Sequence, residues 1–406
     1  MPARNNVACA YNHIRCGPKR TRRRTRVTPS LPVVTTAAPA YEYIDGATAI
    51  VRGALDAGCT FFAGYPITPA SAILMQMTNE LPKVGGVAMQ GEDEIASIGM
   101  CIGAAMAGAK AMTASSAPGL SLYSENIGLA IMGEVPLVIV HMQRLGPATG
   151  GATTVAQGDV QFVRWGTGGG YPVIVLAPST VPESYALTVK AFELAERFRL
   201  PVFVVSDKEL GMTLSAVDVA DYPAVEPVER PTRTSGLPHA FDQPGKVSPI
   251  RQYGEGDPFR VTGSTHDEGA YITKLPEKVA ALNEHLIAKI EDHLDELEFV
   301  DADLDAGAKT LVISYGVSAG ASRAAVEQSR DGGTPTSMLV VHSLWPVPER
   351  ALAEAMEGIE RVIVPELNMG LYRREIERIA GDRDVLGVNR IDGELITLEE
   401  IVDTFS

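Results

Sequence analysis

An α/β fold, a mostly parallel sheet with helices on both faces, is what this 406-residue sequence predicts. Short apolar runs of strand length alternate with segments of helical length and period. The runs are continuously apolar rather than alternating, as strands covered on both faces require. The length leaves room for two or three domains with sizeable cores.

The elements follow in chain order. Residues 1–40 hold Arg4, Arg15, Lys19, Arg20, Arg22, Arg23, Arg24 and Arg26 and no acid. Without apolar periodicity this reads as a basic, disordered arm; a transit peptide or a nucleic-acid arm are the alternatives. With eight of the 35 Lys and Arg in the arm, the remaining 27 face 50 acidic residues, and so acidic a body argues against nucleic acid as the main partner. Ala47 to Ala57 reads as a helix with Asp45 as a cap, and Cys59 to Ala63 as a short strand. Next comes Gly64-Tyr65-Pro66-Ile67-Thr68-Pro69, a turn stiffened by prolines on both sides of Thr68, and a helix opens at Ser71. Strand, rigid turn and helix in succession form the kind of place where open α/β sheets bind ligands.

Gln90-Gly91-Glu92-Asp93-Glu94 then packs three carboxylates before a helix of small residues. Gly99, Gly103 and Ala107 recur every four positions, beside the row Ala96, Met100, Ala104 and Gly108. That spacing predicts one helical face against which another backbone packs closely. Glu92 and Asp93 read as charges complementing the helix dipole, whereas Glu94 could be a buried acid. Further strands are predicted at Ala109–Ala114, Pro136–Met142, Pro172–Ala177 and Pro201–Ser206, with a helix over Val181–Phe198. Together these make one domain over about 41–215.

Residues 216–270, rich in Pro, Gly and Asp, read as a long linker wrapped on the surface, in which His266 is an exposed turn histidine or a substrate contact. A charged helix from Pro276 to Leu297 follows and should lie on a surface, with His285 and His293 solvated. This segment, 216–308, precedes a second α/β unit over 309–406, with strands at Thr310–Ser314, Ser337–His342 and Arg361–Pro365.

Several chemistries are disfavoured. Cys9, Cys16, Cys59 and Cys101 are scattered, with no Cys-x-x-Cys pair, so no disulfide framework, structural zinc or iron–sulfur cluster is expected from this chain alone. No apolar run has the length to span a bilayer, and no membrane role is expected. Gly316 and Gly320 lack the dinucleotide pattern, and Gly168-Gly169-Gly170 lacks the Lys-Ser or Lys-Thr of a phosphate loop.

The turn at Gly64–Pro69, the run Glu92-Asp93-Glu94-Ile95-Ala96, Thr113-Ala114-Ser115-Ser116-Ala117-Pro118-Gly119 and Gln143-Arg144-Leu145-Gly146-Pro147-Ala148-Thr149-Gly150 occur in one order. Ser343-Leu344-Trp345-Pro346-Val347-Pro348 and Val364-Pro365-Glu366-Leu367-Asn368-Met369-Gly370 follow. In this the chain resembles, over about residues 41–406, the α subunit of the 2-oxoacid:ferredoxin oxidoreductases, most of all the 2-oxoglutarate type. The resemblance implies a thiamine-diphosphate-binding fold: a pyrimidine-binding domain followed by a domain like the C-terminal domain of transketolase.

It also implies chemistry: oxidative decarboxylation of a 2-oxoacid with coenzyme A to an acyl-CoA, 2-oxoglutarate to succinyl-CoA, with electrons passed to ferredoxin. In such enzymes a carboxylate at ring nitrogen N1′ of thiamine favours the tautomer whose N4′ takes the C2 proton. By resemblance Glu94 has that role, with Glu92 the alternative if the register is off by two. Arg144 holds the substrate carboxylate as a guanidinium fork can, with Thr68 as hydroxyl partner. Tyr65, Pro66, Ile67, Ser115 and Ser116 line the cofactor. No Gly-Asp-Gly followed by Asn-Asn is present, so the resemblance assigns diphosphate, magnesium and a [4Fe–4S] cluster to a β subunit. It leaves room for separate γ and ferredoxin-like δ subunits and implies a cytoplasmic complex. Other 2-oxoacids (pyruvate, indolepyruvate, an aryl glyoxylate), another electron acceptor, or a non-catalytic scaffold with the thiamine fold are the competing readings.

Overall fold

A computed structural model describes residues 41–218, 222 and 225–405, so the basic arm read over 1–40 lies outside the described residues. The chain starts with β1 (Tyr41–Ile44), and Asp45 accepts from Thr48 N–H at 2.7 Å to cap α1 (Gly46–Asp56). There follow β2 (Phe61–Gly64), α2 (Ser71–Glu80), β3 (Val87–Gln90), α3 (Glu94–Met106), β4 (Ala111–Ser115), α4 (Ala117–Met132), β5 (Leu137–Gln143) and α5 (Val160–Trp165). Then come β6 (Ile174–Leu176), α6 (Val181–Phe198), β7 (Pro201–Asp207), α7 (Lys208–Met212) and β8 (Ser215–Asp218). The sequence places β2, β4, β5, β6 and β7 within about two residues of these bounds and α6 on them, and it does not foresee β1, β3 or β8.

Beyond the linker lie α8 (Pro276–Glu291), β9 (Val300–Asp303), β10 (Thr310–Ser314), α9 (Ser318–Asp331), β11 (Thr336–Val341), β12 (Ser343–Trp345), β13 (Arg361–Glu366) and β14 (Asp384–Asn389). Seven strands form one sheet in the order β12-β6-β7-β5-β4-β2-β3. All its pairings are parallel except that of β12, which the second unit contributes antiparallel to β6. A second sheet has the order β14-β13-β10-β11-β9, with β9 antiparallel. In the first sheet the chain steps from β2 out to the edge strand β3, then returns past β2 to β4. That reversal between β2 and β4 is the switch point at which the carboxyl ends of parallel strands open a crevice.

Both faces of the first sheet are covered, as the apolar runs predict. On one side Ile50, Ile73, Met77 and Phe192 of α1, α2 and α6 pack on Phe62, Val138 and Val202. On the other, Ile98, Cys101, Leu120 and Tyr123 of α3 and α4 meet Ile139, Val175 and Phe203. This second cluster runs without a break into Leu311, Ile313, Leu339 and Val341 of the second sheet, so the two sheets share one core.

The linker does run as a long, mostly irregular segment, but it is tied down. Arg230 holds Glu196 of α6 through two bonds of 2.6 Å and donates to Ala105 O and Ala109 O at the end of α3 and just beyond it. Two histidine expectations are overturned here. His266 is buried, its ring 4.3 Å from that of His239, because the linker folds inward over Glu134 instead of looping into solvent. His285 is buried too, because α8 presents a polar stripe to the same carboxylate. Gly245 N–H donates to His285 Nδ1 at 3.2 Å, so that nitrogen is bare and Nε2–H points to Glu134 Oε2 at 3.1 Å. His293 is half exposed beside Glu296, in keeping with the expectation for it.

Lys289 completes the cluster, donating to Glu134 Oε2 at 3.1 Å and to Arg199 O at 3.2 Å. Burial alone would raise the Glu134 carboxyl, but Lys289 and Arg199 beside it, with the His239 and His285 donors, hold it well below its ordinary 4.5. Because the folded-state value is depressed, this contribution to stability is complete above about pH 4.5 and is lost only as the pH falls toward the folded value. Removing one partner of a buried pair strands the other charge. Lys289→Met is therefore expected to cost about 3–5 kcal/mol in a denaturant titration. Lys278→Met, which breaks the exposed pair with Glu268, should leave the denaturation midpoint nearly unchanged.

Candidate active site

Thr68, Glu94, Ser115, Ser116 and Arg144 follow or end four adjacent parallel strands, β2, β3, β4 and β5, and all stand at the carboxyl edge of the sheet around the switch point. Three carboxylates precede α3, and the fold separates them. Glu92 is exposed. Asp93 is the N-cap, its side chain accepting from Ala96 N–H at 2.7 Å, so it is the residue that answers the helix dipole. Glu94 is only 7% exposed, and its carboxylate makes no hydrogen bond or ion pair among the described residues.

What lets Glu94 lie there is Gly119, in the first turn of α4. A Cβ at Gly119 would overlap Ser115 Oγ and sit 2.6 Å from Glu94 Cγ and 3.1 Å from its Oε1. Pro118 starts that helix, as proline can in a first turn. Below this group Tyr123 shares a 2.8 Å hydroxyl bond with Thr113, and burial, with Glu94 among the nearby charges, pushes its phenol up. Tyr123 is not among the residues the sequence singles out, although a tyrosine four residues after Gly119 falls on the same helix face. Ser115 and Ser116 are both buried, and Ser116 Oγ has no partner among the described residues.

Arg144 is buried just beyond β5 and forms no ion pair among the described residues. Its Nη1 donates to Thr68 O at 2.5 Å and its Nη2 to Thr149 O at 3.0 Å, while Nε is buried and unpartnered. Burial pulls its guanidinium below the usual range, with Asp159 opposing the shift. Thr68 and Arg144 are thus brought together through the Thr68 carbonyl, not its hydroxyl. Tyr65, Pro66 and Ile67 line the same turn at intermediate or full exposure. Below Arg144, His141 Nε2 meets Asp159 Oδ2 at 2.9 Å and Gln143 Oε1 accepts from Asp159 N–H at 3.1 Å, a support that the sequence reading did not foresee.

The glycine row of α3 departs from expectation. Gly99 and Gly103 have nothing within 4 Å of where a Cβ would stand, and Ile95 and Ala107 on the same row are exposed. The closely packed face foreseen for these residues is open in this chain, because α4 and β2 take up the opposite side of the helix. Among the described residues no helix is long and apolar enough to cross a membrane, and no three His, Cys, Asp or Glu converge as a metal site.

Comparison with known proteins agrees with this architecture. The family described as pyruvate flavodoxin/ferredoxin oxidoreductase, thiamine-diphosphate-binding, matches residues 52–284, and pyruvate:ferredoxin oxidoreductase core domain II matches 308–401. The 2-oxoglutarate synthase subunit KorA of Methanocaldococcus jannaschii is 40% identical over 89% of this chain and 98% of its own length. The ketoisovalerate oxidoreductase subunit VorB of Methanothermobacter thermautotrophicus is 36% identical over 90% and 97%. A solved 2-oxoglutarate:ferredoxin oxidoreductase from Magnetococcus marinus, with 2-oxoglutarate, coenzyme A and succinyl-CoA bound, superposes with a TM-score of 0.84 at 30% identity. That match covers 90% of this chain and 64% of the longer solved chain.

Two glycine replacements test the seating of Glu94. Gly119→Ala forces a methyl against Ser115 and Glu94 and is expected to cost about 1–3 kcal/mol. Gly103→Ala, in an open helix position, is expected to gain about 0.5–1 kcal/mol. Denaturation midpoints of the two purified variants check both signs.

Proposed function

The chain belongs to the pyruvate flavodoxin/ferredoxin oxidoreductase family, and on that premise we propose that it is the α subunit of a complex that oxidatively decarboxylates 2-oxoglutarate with coenzyme A to succinyl-CoA, passing electrons through iron–sulfur clusters to ferredoxin. The observation that carries this reading is Glu94. A carboxylate drawn under the surface costs free energy unless something answers it, and here the helix dipole is already answered by Asp93. The natural complement is a ring nitrogen that shares its proton.

The residues at the switch point fit thiamine diphosphate. Glu94 holds a proton at N1′ of the aminopyrimidine, Gly119 keeps that approach clear, and Ser115, Ser116 and the turn Tyr65-Pro66-Ile67 bound the ring, with the unpartnered Ser116 hydroxyl turned to use. When bound, the cofactor supplies the electron sink that decarboxylation of a 2-oxoacid needs. Arg144 orients the substrate. Two nitrogens of its guanidinium brace main-chain carbonyls, and the buried Nε–H with the remaining N–H groups is left for the 1-carboxylate.

This chain supplies half of the site. A β subunit brings the diphosphate, magnesium and [4Fe–4S] groups, and the open row Ile95, Gly99, Gly103 and Ala107 on α3, with exposed Val87 and Met89 on the edge strand β3, is the face we assign to it. Separate γ and δ subunits complete the complex, and a cytoplasmic location accompanies a reaction that draws on coenzyme A and ferredoxin. A second reading, the same chemistry on a branched 2-oxoacid, is supported by the similarity to the ketoisovalerate oxidoreductase subunit.

Arg144→Met in the assembled complex separates the two roles open to the guanidinium. If it holds the 1-carboxylate, loss of a charged hydrogen bond of about 1.5–3 kcal/mol should lower kcat/KM about 10- to 150-fold for every 2-oxoacid, with cofactor affinity near normal. If it only braces the loops, the melting temperature falls while KM stays put.

A further inference from the structure

The loop that follows Arg144 has to be held for the guanidinium to point anywhere in particular. Leu145 N–H donates to Thr154 O at 2.9 Å and Gly151 N–H to Leu145 O at 2.8 Å, folding residues 145–154 into a small tongue. The tip, Pro147 to Gly150, is exposed, yet it carries Thr149 O, one of the two carbonyls that hold the Arg144 guanidinium. An exposed tip can hold a carbonyl in place only if the tongue's base is anchored.

The base is anchored by the second sheet. Gln157 is fully buried, and its side-chain amide donates from Nε2 to Tyr315 O at 3.0 Å. Its Oε1 accepts from Ser318 Oγ at 2.7 Å and from Leu367 N–H at 3.0 Å. Its main-chain N–H donates to Leu367 O at 2.9 Å, and its carbonyl accepts from Asn368 Nδ2 at 2.8 Å. These partners come from the end of β10, the first turn of α9 and the segment after β13, all at the carboxyl edge of the second sheet. A second contact backs them: a Cβ on Gly393, whose φ of +86° already excludes most side chains, would overlap Thr154 Cγ2. The amide matches its surroundings as no other side chain of this size does. A carboxylate would face the Tyr315 carbonyl with an oxygen, and an aliphatic chain would strand the Ser318 hydroxyl and two main-chain groups.

We propose that Gln157 is a positioning residue for substrate recognition, through which the second α/β unit sets the tongue and hence the aim of Arg144. The proposal rests on Arg144 as the carboxylate holder. Gln157 does not touch substrate; it keeps Thr149 O where it brings the guanidinium to bear. Misplacing a binding group by about an ångström can cost on the order of 100-fold, so an effect well outside measurement error is expected.

The test is a double-mutant cycle in the assembled complex, with kcat, KM for 2-oxoglutarate and thiamine diphosphate affinity measured for each member. Gln157→Leu alone should lower kcat/KM at least about 10-fold, chiefly through KM, with cofactor affinity unchanged. In the Arg144→Met background the same replacement should cost less than about 2-fold, because the group it aims is gone. Equal losses in both backgrounds, or an unchanged KM, would overturn the proposal even if Arg144→Met itself behaves as a substrate-binding variant. A normal KM in Arg144→Met alone would instead overturn the reading of Arg144. If Gln157→Leu does not assemble, Ser318→Ala, which removes one donor from the opposite side of the same contact, is taken through the same cycle with the same criteria.

Discussion

A carboxylate that helix α3 brings under the surface, with only the absence of a Cβ at Gly119 to make room for it, is the constraint on which the site depends. Glu94 reaches its position because Asp93 has already capped the helix, which frees the next acid from the dipole. The strand order then matters. With β2 and β4 adjacent and β3 at the edge, the turn after β2, the start of α3 and the end of β4 converge on one crevice. The same geometry turns the glycine row of α3 away from the core of its own chain, so seating the acid and leaving that row open are two results of one helix orientation.

Arg144 answers a different need. A buried guanidinium is costly without partners, and here two main-chain carbonyls from separate loops satisfy part of it while Nε stays unpartnered among the described residues. The two sheets divide the labour. The first supplies the groups, and the second meets the chain beyond the Arg144 loop at Gln157, while Asp207 at the end of β7 joins the first sheet to the head of α9. Burial pushes the Asp207 carboxyl up to about 6, although it accepts from Leu210 N–H and from Val317 N–H at the head of α9. The apolar core beneath these contacts is shared by both sheets.

Local signals made much of this legible. Continuous apolar runs announced the parallel strands, Pro-Ile-Thr-Pro the turn, and the triple acid the start of α3. Features set by distant residues were not legible. His266 and His285 looked solvated because nothing near them in sequence discloses Glu134, between α4 and β5, which meets His285 and also His239, the ring on which His266 packs. Gly99 and Gly103 promised close packing from their spacing alone, yet no element of this chain covers them, because α4 and β2 lie on the other side of α3. The partners of Arg144 also escaped the sequence, since main-chain carbonyls carry no residue identity. Strand β12 lies in the second unit and pairs in the first sheet, a crossing that no local pattern reveals.

The central claim is that Glu94, not Glu92, governs the proton on the aminopyrimidine. Hydrogen–deuterium exchange at C2 of thiamine diphosphate bound to the assembled complex measures this directly. Glu94→Gln, which cannot pass a proton to N1′, should slow exchange at least about 100-fold while Glu92→Gln leaves it unchanged. Exchange at the wild-type rate in Glu94→Gln would contradict the account.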